Sequence, residues 1–304
     1  MNPMISICIP AYNQADKLLK LLQSIDNQTY RDFEVIVTDD STSNEVESLC
    51  KTGFQFPLFY FRNKTPKGSP DNWNSAISHA KGEWIKLIHH DDYFNSPNAF
   101  QCFVDEAEKS PQIDYFYCGT NILDSNNDEE FPYVVDSDHL DKIAAYPAYL
   151  FHKNLIGAPS TGFFKRSISL KYDKALIWLV DIEYYNRIIE TNKIKNVQQR
   201  LITTVISEEQ LTTGLKDNRE VEIREFLYCY QKHIGKFDAI NRKIMRHRLL
   251  DLFKTFHVDD LKDLKAIQFN APIPAFAKLL LFGCRINKPL TYRIFYKLNH
   301  FNVF

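Results

Sequence analysis

Residues 6–42 read SICIPAYNQADKLLKLLQSIDNQTYRDFEVIVTDDST, and the hydrophobic period changes twice within them. The run ISICIP, from Ile5, has the β-branched character of a strand and is expected to stop at Pro10. DKLLKLLQSIDNQ then places Leu18, Leu21, Leu22 and Ile25 at helical spacing, and FEVIVTDD returns to a strand that ends in Asp39 and Asp40. Strand, helix and strand in so short a segment make a βαβ unit, whose two strands lie parallel.

The same alternation continues outward. FPLFYFRN predicts a third strand, DNWNSAISHA a short helix and GEWIKLIHHDD a fourth strand, while Ser96 and Pro97 predict the start of a helix running to about Lys109. The expected fold class is therefore α/β, with a mostly parallel, Rossmann-like central sheet flanked by helices. In such sheets ligands collect beyond the carboxyl ends of the strands. Asp39 and Asp40 end the second strand and Asp91 and Asp92 the fourth, so two acidic pairs distant in sequence are placed to meet one ligand. Taken alone, either pair is equally a set of solvated strand-end acids.

Beyond Asp124 the chain reads DSNNDEEFPYVVDSDHLD, a polar and acidic stretch expected to form a loop near the site. TGFFKRS predicts a short strand, and VDIEYYNRIIETN a helix with Ile182, Tyr185, Ile188 and Ile189 on one face. KIKNVQQRLITTVISEEQLT predicts extended structure, and a helical C-terminal annex follows from about Arg219. The expected division is a domain over 1–218, with halves at about 1–120 and 121–218, and a basic helical region over 219–304.

Net charge is −1, which gives no global reason to expect a nucleic-acid partner. The distribution is uneven: from Glu222 onward fifteen Lys and Arg face seven Asp and Glu, and no acid follows Asp263. The final stretch, AKLLLFGCRINKPLTYRIFYKLNHF, mixes Lys278, Arg285, Lys288, Arg293 and Lys297 with apolar residues, a composition that suits either an anionic membrane leaflet or an ordinary packed annex. Six cysteines without C-x-x-C spacing read as reduced thiols. The N-terminus lacks the pattern of a signal peptide, and no run reaches the ~18 apolar residues of a membrane span, so the expected location is cytoplasmic or peripheral on the inner face of the cytoplasmic membrane.

Together these residues resemble the family 2 glycosyltransferases, inverting enzymes of the GT-A fold that use nucleotide-diphospho sugars. The likeness rests on the opening block (a strand into PAYN, a leucine-rich helix, QTYRDFE, and a strand into DDST) and continues through HHDDY and VDIEYYNR to SEEQLT. It implies that Pro10, Ala11, Tyr12, Asn13, Asp39, Asn72 and Asp91 contact the nucleotide sugar. An aspartate accepts hydrogen bonds from a base edge or ribose hydroxyl, and Tyr12 offers a flat face for stacking.

The family's metal motif, Leu-Asp-x-Asp-Asp, stands here as Ile88-His89-His90-Asp91-Asp92, with a histidine in place of the first aspartate. The resemblance assigns Asp91 to Mn²⁺ or Mg²⁺, with His89 beside it as a second contact to metal, ribose or phosphate; an imidazole ligand tilts the choice toward Mn²⁺. If the strand persists through this point, His89 and Asp91 face one way and His90 and Asp92 the other. Glu208, where relatives carry a histidine, is a third ligand candidate. By the same resemblance Asp181 is the general base, with Glu183 in reserve, and Ser160, Thr161, Glu183 and Arg187 line the pocket for sugar and acceptor. Val180 stands where relatives have an acid.

The implied reaction moves a sugar, most simply from a UDP-sugar, to a hydroxyl of a saccharide, free or linked to polyprenyl diphosphate, in bacterial O-antigen, capsule or related glycan assembly. Two rivals stand beside it. A nucleotidyltransferase shares the sheet and the acids but normally has a glycine-rich first loop, and IPAYNQADK has no glycine. A non-catalytic nucleotide-sugar-binding subunit would accommodate the departures at His89 and Val180.

Overall fold

The computed structural model describes residues 4–207, 214, 215, 217–267, 269 and 271–301. The described chain separates into two compact units, one made of 1–137 with 156–207 and the other of 138–155 with 208–304.

The first unit is built on a nine-stranded sheet in the order β3-β2-β1-β4-β8-β6-β9-β5, with β7 paired to β6. Its opening half is the expected doubly wound arrangement. Strands β1 (Ile5–Ala11), β2 (Phe33–Asp39), β3 (Leu58–Arg62) and β4 (Trp84–Leu87) are all parallel, with helices α1 (Ala15–Asp26), α2 (Glu45–Cys50) and α3 (Ser69–Ser78) between them. Every residue of β1 and β2 is buried, as a strand covered on both faces requires. Leu18, Leu21, Leu22 and Ile25 form the buried stripe of α1.

The strand order turns at β1, because the chain winds outward to β3 and then returns to place β4 on the other side. Pro10 does not end β1: it pairs with Thr38, and the strand runs on to Ala11. The β1–β4 ladder ends at Cys8 and Leu87, with one further bond from the Ile88 amide to the Cys8 carbonyl. Pro10 points to the same side as Cys8, beyond the last β4 bond, so its missing N–H leaves no ladder position unfilled. The two strands diverge there and open a crevice at the switch point.

The second half is mixed. The short β5 (Tyr93–Phe94) and helix α4 (Ala99–Lys109) lead to β6 (Tyr115–Asp124), β7 (Glu129–Tyr133), β8 (Gly162–Lys165), α6 (Val180–Thr191) and β9 (Ile194–Ile206). β8 runs antiparallel to both β4 and β6, β7 to β6 and β5 to β9, whereas β6 and β9 are parallel. The central sheet is therefore parallel in its first half and partly antiparallel beyond it. The acidic stretch after Asp124, expected as a loop, contains the hairpin strand β7.

The second unit is helical: α5 (Ser137–Ala145), a 3₁₀ turn Pro147–Phe151, α7 (Arg219–His233), α8 (Ala239–Thr255), α9 (Leu261–Ala266) and α10 (Ala275–Leu298). Asn218 caps α7, Asp238 caps α8, and Asp260 with Asp263 forms a capping box on α9. The segment 138–155 is tied to α8: the Asn241 side chain accepts from the Ala148 amide at 3.1 Å and donates to the Ala145 carbonyl at 3.3 Å. His152 donates from Nε2 to the Ile244 carbonyl at 3.1 Å, and its Nδ1 lies 3.8 Å from Asp251.

Burial pushes the His152 imidazole down to about 4 from an ordinary 6.5. Between those values the unfolded chain binds a proton that the native chain refuses, so stability present above the upper value is lost as pH falls toward the lower one. The expected contribution to the slope is up to ~1.4 kcal/mol per pH unit. Urea unfolding at several pH values should give a shallower loss of stability below pH 6.5 for His152→Phe than for the wild type. Equal slopes would show that His152 is not a source of the acid sensitivity.

Candidate functional site

The crevice at the switch point has one wall in the β1–α1 turn. Asn13 and Gln14 both sit in the left-handed region, at φ 53° and 49°, which turns the chain sharply after Tyr12. The turn is fixed to the end of β2: the Asn13 amide donates to Ser41 Oγ at 2.7 Å, and Asn13 Oδ1 accepts from the Thr42 amide at 3.2 Å. Tyr12 is left half exposed, with its ring available at the rim.

Asp39 is fully buried, its carboxylate accepting from the Ser41 amide at 2.8 Å and the Tyr60 hydroxyl at 2.7 Å. A carboxylate has about four acceptor positions, so each oxygen keeps capacity for another donor. Asp40 instead closes the frame, accepting from Asn63 at 2.7 Å and from the Lys67 and Gly68 amides at 3.0 and 2.9 Å. Asn72 is also buried. Its amide group donates to the carbonyls of Ala11 and Thr38, both at 3.2 Å, so it clips α3 across the ends of β1 and β2.

The second wall is the segment after β4. The strand ends at Leu87, and the Asp92 amide bonds to the His89 carbonyl at 3.1 Å, so residues 89–92 form a tight turn. The alternation that would have sent Asp92 away from His89 and Asp91 therefore does not apply. A ring nitrogen of His89 and one carboxylate oxygen each of Asp91 and Asp92 lie within 4.8 Å of one another. His90 turns aside, its Nε2 3.1 Å from Gln14 Oε1.

Ser160 supports this turn. Its hydroxyl accepts from the His89 amide at 3.0 Å and also bonds to the Asp92 carboxylate, which in addition accepts from the Val205 amide at 3.0 Å. Beneath it lies Lys86, fully buried, whose ammonium donates to the carbonyls of Ser160 and, at 3.1 Å, Gly162. Burial draws the Lys86 amine down to about 8, opposed by the charges of Cys118 and Asp92.

Two carboxylates this close together disfavour both being charged, and a cation among them would relieve that cost. Burial, and then the neighbouring Asp91 charge, push the Asp92 carboxyl well up. Burial pushes the His89 imidazole down to about 4, which leaves it neutral at pH 7 with a lone pair to give. Its Nε2 is buried and has no hydrogen-bond partner among the described residues. A neutral imidazole with an unused nitrogen beside two carboxylates fits a divalent metal ion, and the nitrogen shifts the choice from Mg²⁺ toward Mn²⁺. Glu208 lies outside the described residues.

An aromatic wall leads from this turn to α6. Trp73, next to Asn72 on α3, lies 4.6 Å from the His89 ring on one side and meets Tyr172 edge-on at 5.1 Å on the other. Tyr172 stacks on Tyr184 at 4.0 Å, and the Asp181 charge contributes to raising the phenols of Tyr115, Tyr172 and Tyr185, which burial dominates. Asp181 is the second residue of α6, and its carboxylate accepts the Ile182 amide at 2.8 Å. Glu183, fully buried, is held by Arg187 through three contacts of 2.7 to 3.0 Å, and Arg187 also donates to the Lys171 carbonyl at 2.7 Å.

The structure thus gathers Pro10 to Asn13, Asp39 and Asn72 along one wall and His89 and Asp91 on the other, while Asp181 stands at the start of α6, whose Tyr184 stacks on Tyr172 and so meets the Trp73 wall. Ser160 and Thr161 are fully buried. The Thr161 hydroxyl is turned to the Ile156 and Ala158 carbonyls at 3.2 and 2.9 Å. Lys86 and Trp73 were not singled out from the sequence, and Asp92 was read as one of an acidic pair but turned away from His89 and Asp91 by strand alternation. A lysine inside WIKL was the visible signal for Lys86, whereas Asp92 depended on where the strand ends.

The chain is similar to several known proteins. An uncharacterized glycosyltransferase of Haemophilus influenzae is 28% identical over 187 residues, a match spanning 62% of this chain and 61% of that protein's length. The putative colanic acid biosynthesis glycosyl transferase WcaA of Escherichia coli is 27% identical over 257 residues, 80% of this chain and 85% of WcaA. Among solved structures, S. aureus TarS 1-349 in complex with UDP-GlcNAc superposes with a TM-score of 0.67 at 17% identity, covering 98% of this chain and 91% of TarS. The mannosyltransferase PcManGT of Pyrobaculum calidifontis, in complex with GDP-Man and Mn²⁺, gives a TM-score of 0.59 at 16% identity, covering 98% of this chain and 84% of that one. The family model for glycosyl transferase family 2 matches residues 6–172, more than half of the 304-residue chain. With its GT-A sheet and its acids beyond the carboxyl ends of β2 and β4, the chain belongs to glycosyl transferase family 2.

Proposed function

We propose that this glycosyltransferase moves a sugar, with inversion, from a nucleotide-diphospho sugar, most simply a UDP-sugar, to a hydroxyl of a saccharide in the assembly of a bacterial surface polysaccharide. The observation that carries the reading is the turn at 89–92, where a ring nitrogen of His89 converges with one carboxylate oxygen each of Asp91 and Asp92 at the switch point. The colanic acid assignment of WcaA and the UDP-GlcNAc bound to TarS support the polysaccharide setting and the donor class.

In this mechanism Tyr12 stacks on the base at the rim and Asp39 accepts from the base or ribose. His89, Asp91 and Asp92 hold Mn²⁺ or Mg²⁺, which when bound neutralises the charge building on the leaving diphosphate. Asp181 takes the proton of the acceptor hydroxyl as its oxygen attacks the anomeric carbon from the opposite face. The bond from that carbon to the diphosphate oxygen breaks, and nucleoside diphosphate leaves with the electron pair. Arg187 keeps Glu183 ion-paired, which favours Asp181 over Glu183 as the base. The acceptor is a free saccharide or one carried on polyprenyl diphosphate.

A panel of nucleotide sugars with Mn²⁺ should include one that releases nucleoside diphosphate; release of pyrophosphate instead would make the protein a nucleotidyltransferase. With that donor, Asp181→Asn should lower turnover by roughly 10²–10⁴ while nucleotide affinity is kept. Unchanged turnover would remove Asp181 from the role.

Ser160→Ala withdraws the hydroxyl shared by the His89 amide and Asp92. It should raise the Mn²⁺ concentration for half-maximal activity by about 10–100-fold, the usual cost of losing a group that orients metal ligands. Asp91→Ala should abolish the Mn²⁺ response, and a response that persists in both variants would place the cation elsewhere.

A further inference from the structure

The last helix is not one rod. Asn287 has extended φ and ψ of −154° and 94°, and Pro289 follows. The Phe276 and Phe295 rings are 5.4 Å apart, although a straight helix would separate those residues by ~28 Å along its axis. A side chain added at Gly283 would strike the Thr291 methyl at 2.7 Å, so the glycine lets two arms come together. α10 is a helical hairpin with its bend at Asn287.

The inner faces of both arms are buried through Ala277, Leu280, Leu281, Cys284, Thr291 and Tyr292. On the first arm, Leu279, Phe282 and Ile286 form an outward stripe at i, i+3 and i+7; on the second, Leu290, Ile294 and Leu298 repeat it at i, i+4 and i+8. These six are between 45 and 73% exposed, which sets them apart from the scattered single apolar residues of an ordinary surface. Lys278, Arg285, Arg293 and Lys297 are exposed on the same two arms, and no acid follows Asp263.

We propose that this hairpin is a lipid-binding surface, lying on an anionic bilayer with the apolar stripes in the acyl boundary and the basic side chains among the headgroups. Apolar residues and cations on one short helical element meet both requirements of interfacial binding. Each arm is far shorter than the ~30 Å of a hydrocarbon core, and among the described residues no helix is long and apolar enough to cross a membrane, so the hairpin lies on the bilayer and does not span it. A second copy fits less well, because a two-fold contact through these arms would set the same cations against each other. Anionic lipid supplies the opposite charge. The inference does not depend on the sugar chemistry proposed above.

The test is flotation of the full chain, without nucleotide, on phosphatidylcholine vesicles with and without phosphatidylglycerol. Binding is expected only with the anionic lipid and should fall in 1 M salt. Phe282→Ser with Ile286→Ser should weaken it at least about tenfold, as should Arg285→Glu with Arg293→Glu, with melting temperature unchanged because all four side chains are exposed. Absence of binding to anionic vesicles, or equal binding by the serine variant, overturns the proposal. So does a wild-type dimer in light scattering that the serine pair converts to monomer, if vesicles are not bound.

Discussion

A lysine lies in the middle of the central sheet. Lys86, fully buried on β4, would be costly there as a bare charge, since the effective penalty for an unpaired buried ion is several kcal/mol. Its ammonium is used to bind the carbonyls of Ser160 and Gly162, where β8 begins. The β4–β8 ladder pairs only Trp84 with Lys165 and Ile85 with Phe164, so the lysine continues the seam beyond the last strand pairing. Gly162 is required at this junction because a side chain there would collide with the Tyr115 hydroxyl. Fixing the Ser160 backbone also fixes its hydroxyl, which in turn seats the His89 amide and Asp92. A polar path therefore runs from the interior of the sheet to the turn at 89–92.

The ligand group exists because two ladders end at different heights. β1 continues beside β2 to Ala11 and Asp39, but β4 leaves β1 at Cys8 and Leu87. The gap is bridged by side chains: Asn72 holds the ends of β1 and β2 together, and its neighbour Trp73 touches His89. α3 thus sets the separation of the two walls. Burial then works in two directions on the same group, favouring a neutral imidazole at His89 and disfavouring a second charge at Asp92 beside Asp91.

The opening block was legible because its periods are clean: β-branched residues at a strand period, leucines at a helical period, and acids where the strands stop. The elements that escaped have a different physical origin. β7 is mostly exposed and rich in acids, so its pairing with β6 leaves little hydrophobic signal. The tie between 138–155 and α8 depends on Asn241 and His152, whose partners lie more than ninety residues away. The folding back of α10 was hidden because both arms share a helical period, and Asn287 with Pro289 marks only the break. At the site, residue identity pointed to Asp91 and His89, but the inclusion of Asp92 followed from a backbone turn that strand alternation cannot express. Ser160 was read as part of a sugar pocket, whereas its burial and its bond to His89 place it under the turn.

The first turn of α6 carries two acids, and their surroundings differ in kind. Glu183 is in the interior, where a carboxylate without a partner would be strongly disfavoured, and Arg187 meets it with a forked set of contacts. Protonating that carboxylate during a reaction would strand a largely buried guanidinium, so the pair resists the change that a general base must undergo. Asp181 is only partly buried and accepts the amide of Ile182 in the first turn, where the helix favours negative charge. The same helix thus supplies a fixed ion pair that anchors its inner face and, two residues earlier, a carboxylate whose charge can change without dismantling it.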